Sequence, residues 1–463
     1  MFKSKLKEFS LPLILVLAPN VLFFLFGLFY IIPRPIIVYD YFLLFILFYF
    51  NCSSFLIWSS FVAILLIDLL SITSSIYLFT VDSFIQNLRF IGNYEFKVSQ
   101  FVLLVILLIS LTYIYQIIKT YRKSSYTFKS YAFFVSTVIG LTFLLDTLNG
   151  SSLLEIKMYQ GVLSKYNLAG SPILSYYHNF ENILVADANS KPRKLQSESI
   201  TFKTFKGDNR GSQLLVVVES FGLIQDTTVY KSFFSSIVNE FQKKNWKCAV
   251  GRTPFKGSTT SSELRELLNL SGDYRFFLNK GESKNYRSIF DLKLNHGYQT
   301  IGVHSYRGQM FERDLWWKNI GIRSSYFMED ILLNKNYRLQ LNYETPFTSC
   351  QDEDAFDFIQ SKVGIQKVFG YLLCENSHLP FNGDFKDQEV PGIFRKSSYS
   401  LSDEAINQLI RIKEFLGYLA KNLDKSKWSK VLIVGDHMPP YVRKTDRDFY
   451  SDEQVPYLLI EQL

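Results

Sequence analysis

The stretch Leu214-Leu215-Val216-Val217-Val218, followed directly by Glu219-Ser220, decides the fold of this chain. A short, continuous apolar run is typical of a strand that is buried on both faces of a parallel sheet. Helical patterns separate this run from later ones, and the clearest covers residues 403–423, with apolar side chains every three or four positions. The later apolar runs lie at residues 300–303, 368–373 and 431–434. This alternation predicts an α/β domain with a mainly parallel central sheet.

Residues with metal-binding or acid–base chemistry follow each of the four predicted strands. Because ligands of such sheets bind beyond the carboxyl ends of the strands, these positions are the first candidates for a site. The chain has 5 His, and three of them fall at these strand ends. We interpret the other two, His178 and His296, as surface histidines. The candidates are, in chain order, Glu219, His304, Ser377 with His378, and Asp436 with His437.

Three of these side chains suit a divalent metal ion. Glu219 and Asp436 offer carboxylates and His437 offers an imidazole, which is a common ligand set for zinc or manganese. A catalytic site of this kind also needs an open coordination position for a nucleophile. The sequence therefore directs attention to a hydroxyl that lies near these three residues.

A hydroxyl-rich segment, Gly257-Ser258-Thr259-Thr260-Ser261-Ser262-Glu263-Leu264, precedes an apolar helical pattern. A hydroxyl at a helix N-terminus is well placed to attack phosphorus, because backbone N–H groups there favour the anion and a metal lowers the hydroxyl pKa. The alternative is an ordinary helix start, since Ser or Thr followed three residues later by Glu is a capping-box pattern. Beside a metal set we favour Thr259 as the nucleophile and Thr260 as the helix cap.

The first 150 residues differ in composition from the rest of the chain. The whole chain has a formal charge of +8, with 48% hydrophobic and 17% aromatic residues, which excludes a disordered or collagen-like protein. Only 16 charged residues fall in this N-terminal part, a split that a uniformly basic nucleic-acid-binding protein would not show. Most of its apolar stretches reach the roughly 20 residues that a spanning helix needs. The five stretches are 10–32, 35–51, 54–80, 99–118 and 131–148.

Lys and Arg in short loops set the orientation of membrane spans, because they stay on the cytoplasmic side. Five spans put the N-terminus and the loop between the fourth and fifth spans on the same side, and both are basic. The sequence thus predicts a transmembrane domain over 1–150, a juxtamembrane linker over 151–212 and an extracytoplasmic catalytic domain over 213–463. The basic residues are Lys3, Lys5 and Lys7, then Lys119, Arg122, Lys123 and Lys129.

Five segments occur in a fixed order along the chain. They are Leu215-Val-Val-Val-Glu-Ser-Phe221, Gly257-Ser-Thr-Thr-Ser-Ser-Glu-Leu264, His304 through Arg313-Asp314, Asn376-Ser-His-Leu-Pro380 and Gly435-Asp-His-Met-Pro-Pro440. Together they resemble the alkaline phosphatase superfamily in its membrane-bound branch. That branch contains lipoteichoic acid synthases, phosphoglycerol transferases and phosphoethanolamine transferases. Its members resemble this chain in layout as well, with five spans ahead of an alkaline-phosphatase-like catalytic domain.

The resemblance implies roles for the residues that match its motifs. His378 matches a phosphate-binding histidine, and His304 and Arg313 match headgroup- and phosphate-binding positions of lipoteichoic acid synthases. The chain departs from that group at Tyr306 and Phe311, where Asp and Trp are usual, and both positions concern contacts with glycerol. The metal ligands match Glu219, Thr259, Asp436 and His437, and Thr259 also matches the nucleophile.

The resemblance further implies an enzyme of the bacterial cytoplasmic (inner) membrane that needs a divalent metal ion, Mn or Zn. It would transfer phosphoglycerol from phosphatidylglycerol, its phospholipid donor, to an envelope glycan or glycolipid acceptor through a phospho-threonine intermediate. No nucleic acid is expected as a partner. The alternatives are a phosphoethanolamine transferase acting on lipid A or an envelope glycan, a sulfatase-like phosphodiesterase, and a non-catalytic envelope protein.

Cysteine usage bears on two of these alternatives. A sulfatase would need a Cys or Ser in a C/S-x-P/A-x-R motif, and Cys248-Ala-Val-Gly-Arg252 comes close but has Val at the third position. Phosphoethanolamine transferases of lipid A are typically rich in disulfides. The predicted catalytic domain has only Cys248, Cys350 and Cys374, so it can form at most one disulfide bond.

Overall fold

In a computed structural model of the protein, the stretch that ends at Val218 forms strand β1 (Gln213–Val218), and all of its residues are buried. This strand lies at the centre of a seven-stranded sheet. The other strands are β2 (Trp246–Pro254), β3 (Gln299–His304), β4 (Ser324–Tyr326), β5 (Val368–Leu373), β6 (Lys430–Gly435) and β7 (Gln454–Gln462). The structure describes residues 37–44, 47, 50, 52–77, 169–171, 191–255, 257–333, 341–342, 349–379, 399–441 and 444–462.

The spatial order of the strands is β2-β7-β6-β1-β5-β3-β4. Strand β1 pairs in parallel with β5 and β6, and β3 pairs in parallel with β5 and β4. Strand β7 runs antiparallel to its two neighbours, β6 and β2. The prediction of a mainly parallel sheet is therefore confirmed. The four strands predicted from the sequence are direct neighbours in it, in the order β6-β1-β5-β3.

The chain divides into two units, one of Met1–Leu88 with Phe96–Val185 and the other of Arg89–Glu95 with Ala186–Leu463. The second unit holds the sheet, and α10 coincides with the helix predicted over 403–423. The helices are α1 (Ser54–Tyr77) in the first unit, then α2 (Ile200–Phe205), α3 (Thr227–Lys243), α4 (Thr259–Glu263), α5 (Lys280–Ser283), α6 (Ile289–Leu294), α7 (Arg313–Asn319), α8 (Met328–Leu332), α9 (Asp352–Ser361), α10 (Asp403–Asn422) and α11 (Lys444–Asp448). Shorter helical turns cover Tyr39–Phe42, Leu264–Leu268, Tyr274–Leu278 and Met310–Glu312.

Side chains of β1 alternate between two apolar layers, as the two-residue period of a strand requires. Leu214, Val216 and Val218 face a buried cluster that includes side chains of α3, α9 and α10. Leu215 and Val217 face a second cluster, which includes side chains of α2, α6 and α7. Helices of the described residues thus cover both faces of the sheet.

Three strands of the sheet, β2, β4 and β7, are not among the four that the sequence predicts. Strand β2 forms an edge of the sheet, where exposed residues such as Lys247 and Arg252 interrupt the apolar ones. Strand β4 has only three residues. Strand β7 has an apolar run, Tyr457-Leu458-Leu459-Ile460, but Pro456 precedes it directly, and proline weakens a strand pattern. The half-exposed β2 and the short β4 give no buried-strand signal in the sequence.

In the first unit, α1 occupies most of the third predicted span, 54–80. Asp68 of this helix is fully buried, and its Oδ2 atom accepts a hydrogen bond from the Tyr41 hydroxyl at 3.0 Å. Two short strands, Ile37–Val38 and Ala169–Gly170, pair in parallel. Within the ranges that the structure covers, no helix has the length and apolarity needed to cross a membrane. The predicted spans 10–32, 99–118 and 131–148 lie outside the described residues, as do 7 of the 17 residues of the span 35–51.

Candidate metal centre and nucleophile

The carboxyl ends of four neighbouring strands bring the predicted site residues together. Glu219 follows β1, and Asp436 and His437 follow β6, the strand beside it. One ligand atom from each of these three residues lies within 4.8 Å of the others. Glu219 and Asp436 are buried, and His437 is 15% exposed. The set predicted as metal ligands therefore converges at one edge of the sheet.

The orientation of His437 leaves one ring nitrogen facing the carboxylates. Its Nδ1 atom lies 2.8 Å from the backbone oxygen of Met438, and because a carbonyl only accepts hydrogen bonds, Nδ1 carries the proton. Its Nε2 atom lies 3.4 Å from Glu219 Oε1 and 3.2 Å from Asp436 Oδ2. This is the usual arrangement of a metal-binding imidazole, in which a hydrogen bond to one nitrogen aims the other.

Asp436 gives a direct test of whether a cation fits here. Its Oδ2 atom is buried and accepts no hydrogen bond from the residues that the structure describes. A buried carboxylate oxygen without a donor is costly unless a charge compensates for it. A divalent cation bound by Glu219, Asp436 and His437 would supply that charge, so the side chains fit a metal ion.

Electrostatic interactions among the three residues are strong. Burial raises the pKa of Glu219, but the hydrogen bond and positive charge of His437 outweigh this and leave the pKa well below its usual value. Burial and the charge of Glu219 raise the pKa of Asp436 well above its usual value. Burial lowers the pKa of His437, yet the two carboxylates prevail and raise it to about 10. In the metal-free protein, a proton on His437 therefore offsets part of the negative charge of the two carboxylates.

Thr259 is the first residue of α4, and its hydroxyl lies against the metal set. Its Oγ1 atom is 3.1 Å from Glu219 Oε2 and 3.3 Å from His437 Nε2. The helix is N-capped at Ser258, without a side-chain cap hydrogen bond. Thr260 lies inside the helix, with its Oγ1 atom 3.2 Å from Ser258 Oγ, so the prediction that Thr260 is the cap is wrong. The capping-box pattern assigned the Glu263 side chain to the helix start. This side chain instead accepts hydrogen bonds from Arg313.

The helical turn that continues α4 is tied to the strand end that carries the metal set. Arg265 donates from Nη2 to the backbone oxygen of Gly435 at 3.0 Å, and its Nε atom pairs with Glu266 at 2.5 Å. Gly435 itself allows a close approach of two chain segments, since a Cβ there would lie 1.9 Å from the backbone oxygen of Phe221. These contacts fix the backbone on which Thr259 and Asp436 stand.

Arg313 and His304 form a buried pair beside the metal set. Arg313 Nη1 lies 3.4 Å from His304 Nε2, and His304 Nδ1 lies 3.0 Å from the backbone oxygen of Leu373. Both ring nitrogens of His304 are therefore engaged, with Nε2 as acceptor. Burial and the charge of Arg313 lower the pKa of His304 well below its usual value. His304 is thus a neutral side chain that holds Arg313.

His378 and Glu375 follow β5, between the metal set and the Arg313 pair in the sheet order. The backbone N–H of His378 donates to the backbone oxygen of Glu375 at 3.0 Å. Burial lowers the pKa of His378, against the charge of Glu219. Ser377 donates its hydroxyl to the backbone oxygen of Glu219 at 2.6 Å, which ties the two strand ends together.

Glu375 is a site residue that the sequence analysis missed, although it stands three positions before His378. Its side chain is 8% exposed, and its carboxylate makes no hydrogen bond or ion pair with any residue in the described ranges. Burial and the charge of Glu219 raise the pKa of Glu375 well above its usual value, while the charge of Arg313 opposes this. Its position directly after β5 is the signal that could have identified it.

The remaining predictions fall away from the centre. His296 is exposed in a turn, as expected of a surface histidine, and His178 lies outside the described residues. Cys248 lies in the edge strand β2, paired with Ile460 of β7, and is not among the metal-set residues. Cys52, Cys248, Cys350 and Cys374 are free thiols.

No family model and no curated protein matches the chain. Among solved structures it is similar to the lipoteichoic acid synthase LtaP of Listeria monocytogenes (16% identity, TM-score 0.39, 57% of this chain and 68% of that one). It is also similar to a Vibrio parahaemolyticus protein of the alkaline phosphatase superfamily (14%, TM-score 0.38, 59% and 63%), of which it spans less than two thirds. A third is the C-terminal periplasmic domain of Escherichia coli EptC, solved with zinc (16%, TM-score 0.38, 59% and 77%).

Proposed function

We propose that this chain transfers the phosphate-bearing headgroup of a phospholipid to a hydroxyl of a cell-envelope glycan or glycolipid, through a phosphorylated Thr259. The observation that carries this proposal is the position of Thr259 Oγ1, 3.1 Å from Glu219 Oε2 and 3.3 Å from His437 Nε2. A hydroxyl held among the ligands of a metal site is the arrangement that an activated nucleophile requires.

Glu219, Asp436, His437 and Thr259 would hold the divalent ion, either Mn or Zn. When bound, it supplies a Lewis acid that lowers the pKa of the Thr259 hydroxyl and offsets phosphoryl charge. The buried Oδ2 atom of Asp436, which accepts no hydrogen bond from the described residues and lies 3.2 Å from His437 Nε2, supports this ligand set. The ligand types suit both ions. Metal analysis of the purified protein therefore decides between them.

The reaction divides into two displacements at phosphorus. In the first, Thr259 Oγ forms a bond to phosphorus while the bond to the diacylglycerol oxygen breaks, and the proton of Thr259 passes to that oxygen. In the second, an acceptor hydroxyl forms a bond to phosphorus, Thr259 Oγ leaves, and the acceptor's proton returns to Thr259. Arg313 offsets charge on the phosphoryl oxygens. Both ring nitrogens of His304 are engaged, so we assign the proton transfer to His378. Burial keeps its imidazole neutral, and it can therefore take the proton of Thr259 and pass it to the leaving diacylglycerol oxygen.

Phosphoglycerol, taken from phosphatidylglycerol, is the headgroup we favour, because the His304 to Arg313 spacing resembles that of lipoteichoic acid synthases. Phosphoethanolamine is a second candidate, and one observation supports it: Glu375 places a carboxylate without a partner among the described residues near Arg313. Such a group suits an ammonium better than a glycerol. Tyr306 and Phe311 also differ from the residues usual in glycerol-binding relatives.

The experiment uses the full-length protein in detergent with Mn²⁺ or Zn²⁺ and either phosphatidylglycerol or phosphatidylethanolamine. We expect diacylglycerol release chiefly from phosphatidylglycerol, and an intact-mass increase on the protein equal to glycerol phosphate less one water. Preferential release from phosphatidylethanolamine, with the corresponding mass, would replace the first headgroup by the second. Release with no mass increase and no dependence on an acceptor would favour a phosphodiesterase.

We further propose that five spans over residues 1–150 hold the catalytic unit outside the cytoplasmic membrane. The basic segments before the first span and around Arg122 support this orientation, and a lipid donor gives the spans a purpose. A reporter that is active only outside the cytoplasm should work when fused after residue 160 and fail when fused at Arg122. The reverse pattern would contradict the five-span topology.

A further inference from the structure

Glu263, the last residue of α4, is a fully buried carboxylate at the centre of a hydrogen-bond network. Its Oε2 atom accepts from Nε and Nη2 of Arg313 at 3.0 and 2.9 Å. Its Oε1 atom accepts from the Trp317 indole at 3.0 Å and from the Tyr371 hydroxyl at 3.2 Å. Four donors satisfy the capacity of one carboxylate, so Glu263 has no lone pair left for a substrate proton.

The network holds Arg313 in one plane. Beyond the two hydrogen bonds to Glu263, its Nη1 atom lies 3.3 Å from the backbone oxygen of Met310 and 3.4 Å from Nε2 of His304. These contacts use four of the five N–H groups of the guanidinium. The fifth, on Nη2, has no acceptor among the described residues and is available to an anion. A buried arginine with every other donor fixed is preorganised to bind a phosphoryl oxygen without reorganisation.

Glu263 also shares its helix with the nucleophile. Thr259 and Glu263 are four residues apart, which is about one helical turn or roughly 6 Å along the axis. Movement of this turn would therefore shift Thr259 and Arg313 together. The residues that complete the network come from elsewhere in the fold, Arg313 and Trp317 from α7 and Tyr371 from β5.

We propose that Glu263 is a positioning residue, which fixes the Arg313 guanidinium relative to the Thr259 hydroxyl so that both meet the same phosphate. The inference rests on the proposed function of Thr259 and Arg313. A merely structural Glu263 would stabilise the buried network and have no particular connection to phosphate. The two roles differ in one measurable respect, since a positioning residue acts only through Arg313.

The test is a double-mutant cycle on the full-length protein in detergent. It compares wild type, Glu263→Gln, Arg313→Ala and the double variant, by kcat and KM for diacylglycerol release and by calorimetric affinity for inorganic phosphate. We expect Glu263→Gln to lower kcat/KM by about 10–100-fold, as loss of a supporting partner typically does. In the Arg313→Ala background the same substitution should change neither quantity further. An equal loss in both backgrounds would overturn the inference.

Tyr371→Phe is the matched control, because it removes one donor to Oε1 and leaves both Arg313 hydrogen bonds in place. It should lower the thermal midpoint and keep phosphate affinity near wild type. A loss of affinity equal to that of Glu263→Gln would also overturn the inference.

If Glu263→Gln does not fold, Glu263→Asp, which keeps the charge and shortens the side chain, takes its place in the cycle. A wild type that binds phosphate but releases no diacylglycerol would reject the proposed function, while the calorimetric cycle would still decide the role of Glu263.

Discussion

Nε2 of His437 lies 3.4 Å from Oε1 of Glu219, although the two residues follow different strands and are far apart in sequence. The parallel pairing of β1 with β6 explains this, since it puts both strand ends at one edge of the sheet. Two carboxylates and one imidazole in this space need a positive charge. A divalent ion would supply it.

Substitution of any one of the two carboxylate ligands or the imidazole ligand should lower bound metal and activity together. Glu219→Ala, Asp436→Ala and His437→Ala should each weaken metal affinity by at least the roughly 10–100-fold that loss of an outer partner costs. The measurement is the metal content of the purified variants, determined by elemental mass spectrometry. His296→Ala is the control, because His296 is exposed and away from the site. Stoichiometric metal in the Asp436→Ala/His437→Ala double variant would place the metal elsewhere.

Metal binding should release protons at neutral pH. In the metal-free cluster the carboxylates raise the pKa of His437 to about 10, so the imidazole is protonated at pH 7.5 and must lose its proton to bind. Apparent affinity should therefore rise about tenfold per pH unit between pH 7 and 9. Calorimetric titration of the metal-free protein in buffers of different ionisation enthalpy would count the protons. We expect at least one, and a count of zero would contradict the proposed protonation of the cluster.

Asp352 should make the stability of the catalytic unit depend on pH. It is buried and accepts hydrogen bonds from the Ser305 hydroxyl and from the backbone of Glu375 and Asn376. Burial raises its pKa from 3.8 to about 6, and the charge of Arg411 opposes this only in part. Between these values the folded protein keeps a proton that the unfolded chain has lost. This contribution is complete below about pH 4 and is lost as the pH rises through about 6, at most roughly 3 kcal/mol.

As the pH rises from 4 to 6.5, the thermal midpoint of wild type should therefore fall relative to that of Asp352→Asn. Intrinsic tryptophan fluorescence measures both midpoints. Asp403→Asn serves as the control, because Asp403 is exposed at the start of α10. Parallel profiles for wild type and Asp352→Asn would show that Asp352 does not titrate in this range.

The sequence predicts the centre of this fold better than its edges. Strands β1, β3, β5 and β6 are buried on both faces and therefore carry continuous apolar runs, and their order of pairing brings the predicted metal set together. Strand β2 is half exposed, and its alternating residues give no such signal. The sheet edges come from tertiary pairing, which local patterns do not encode.

The same limit explains what was missed in the site. Glu263 looked like part of a helix cap because a local pattern was available for it. Its partners Arg313 and Tyr371 are 50 and 108 positions away, so no spacing in the sequence indicates the network. Glu375 follows a predicted strand, but it lies within a run of other polar residues, and its burial depends on tertiary packing that local patterns do not encode.

The assignment of the nucleophile is the prediction with the most direct test. Thr259→Ala should abolish diacylglycerol release and the covalent phospho-adduct, because the hydroxyl beside Glu219 and His437 is removed. It should leave folding and most metal affinity intact, since three ligands remain.

Thr260 is the matched control one residue away: its hydroxyl contacts Ser258 and not the metal set. Thr260→Ala should keep most activity and change stability by about 0.5 kcal/mol or less, as for substitutions outside special contacts. Peptide mapping of the trapped adduct checks both expectations, and an adduct on Thr260 or Ser261 would shift the nucleophile by one or two residues. Continued headgroup transfer by Thr259→Ala, without any adduct, would exclude the two-step mechanism itself.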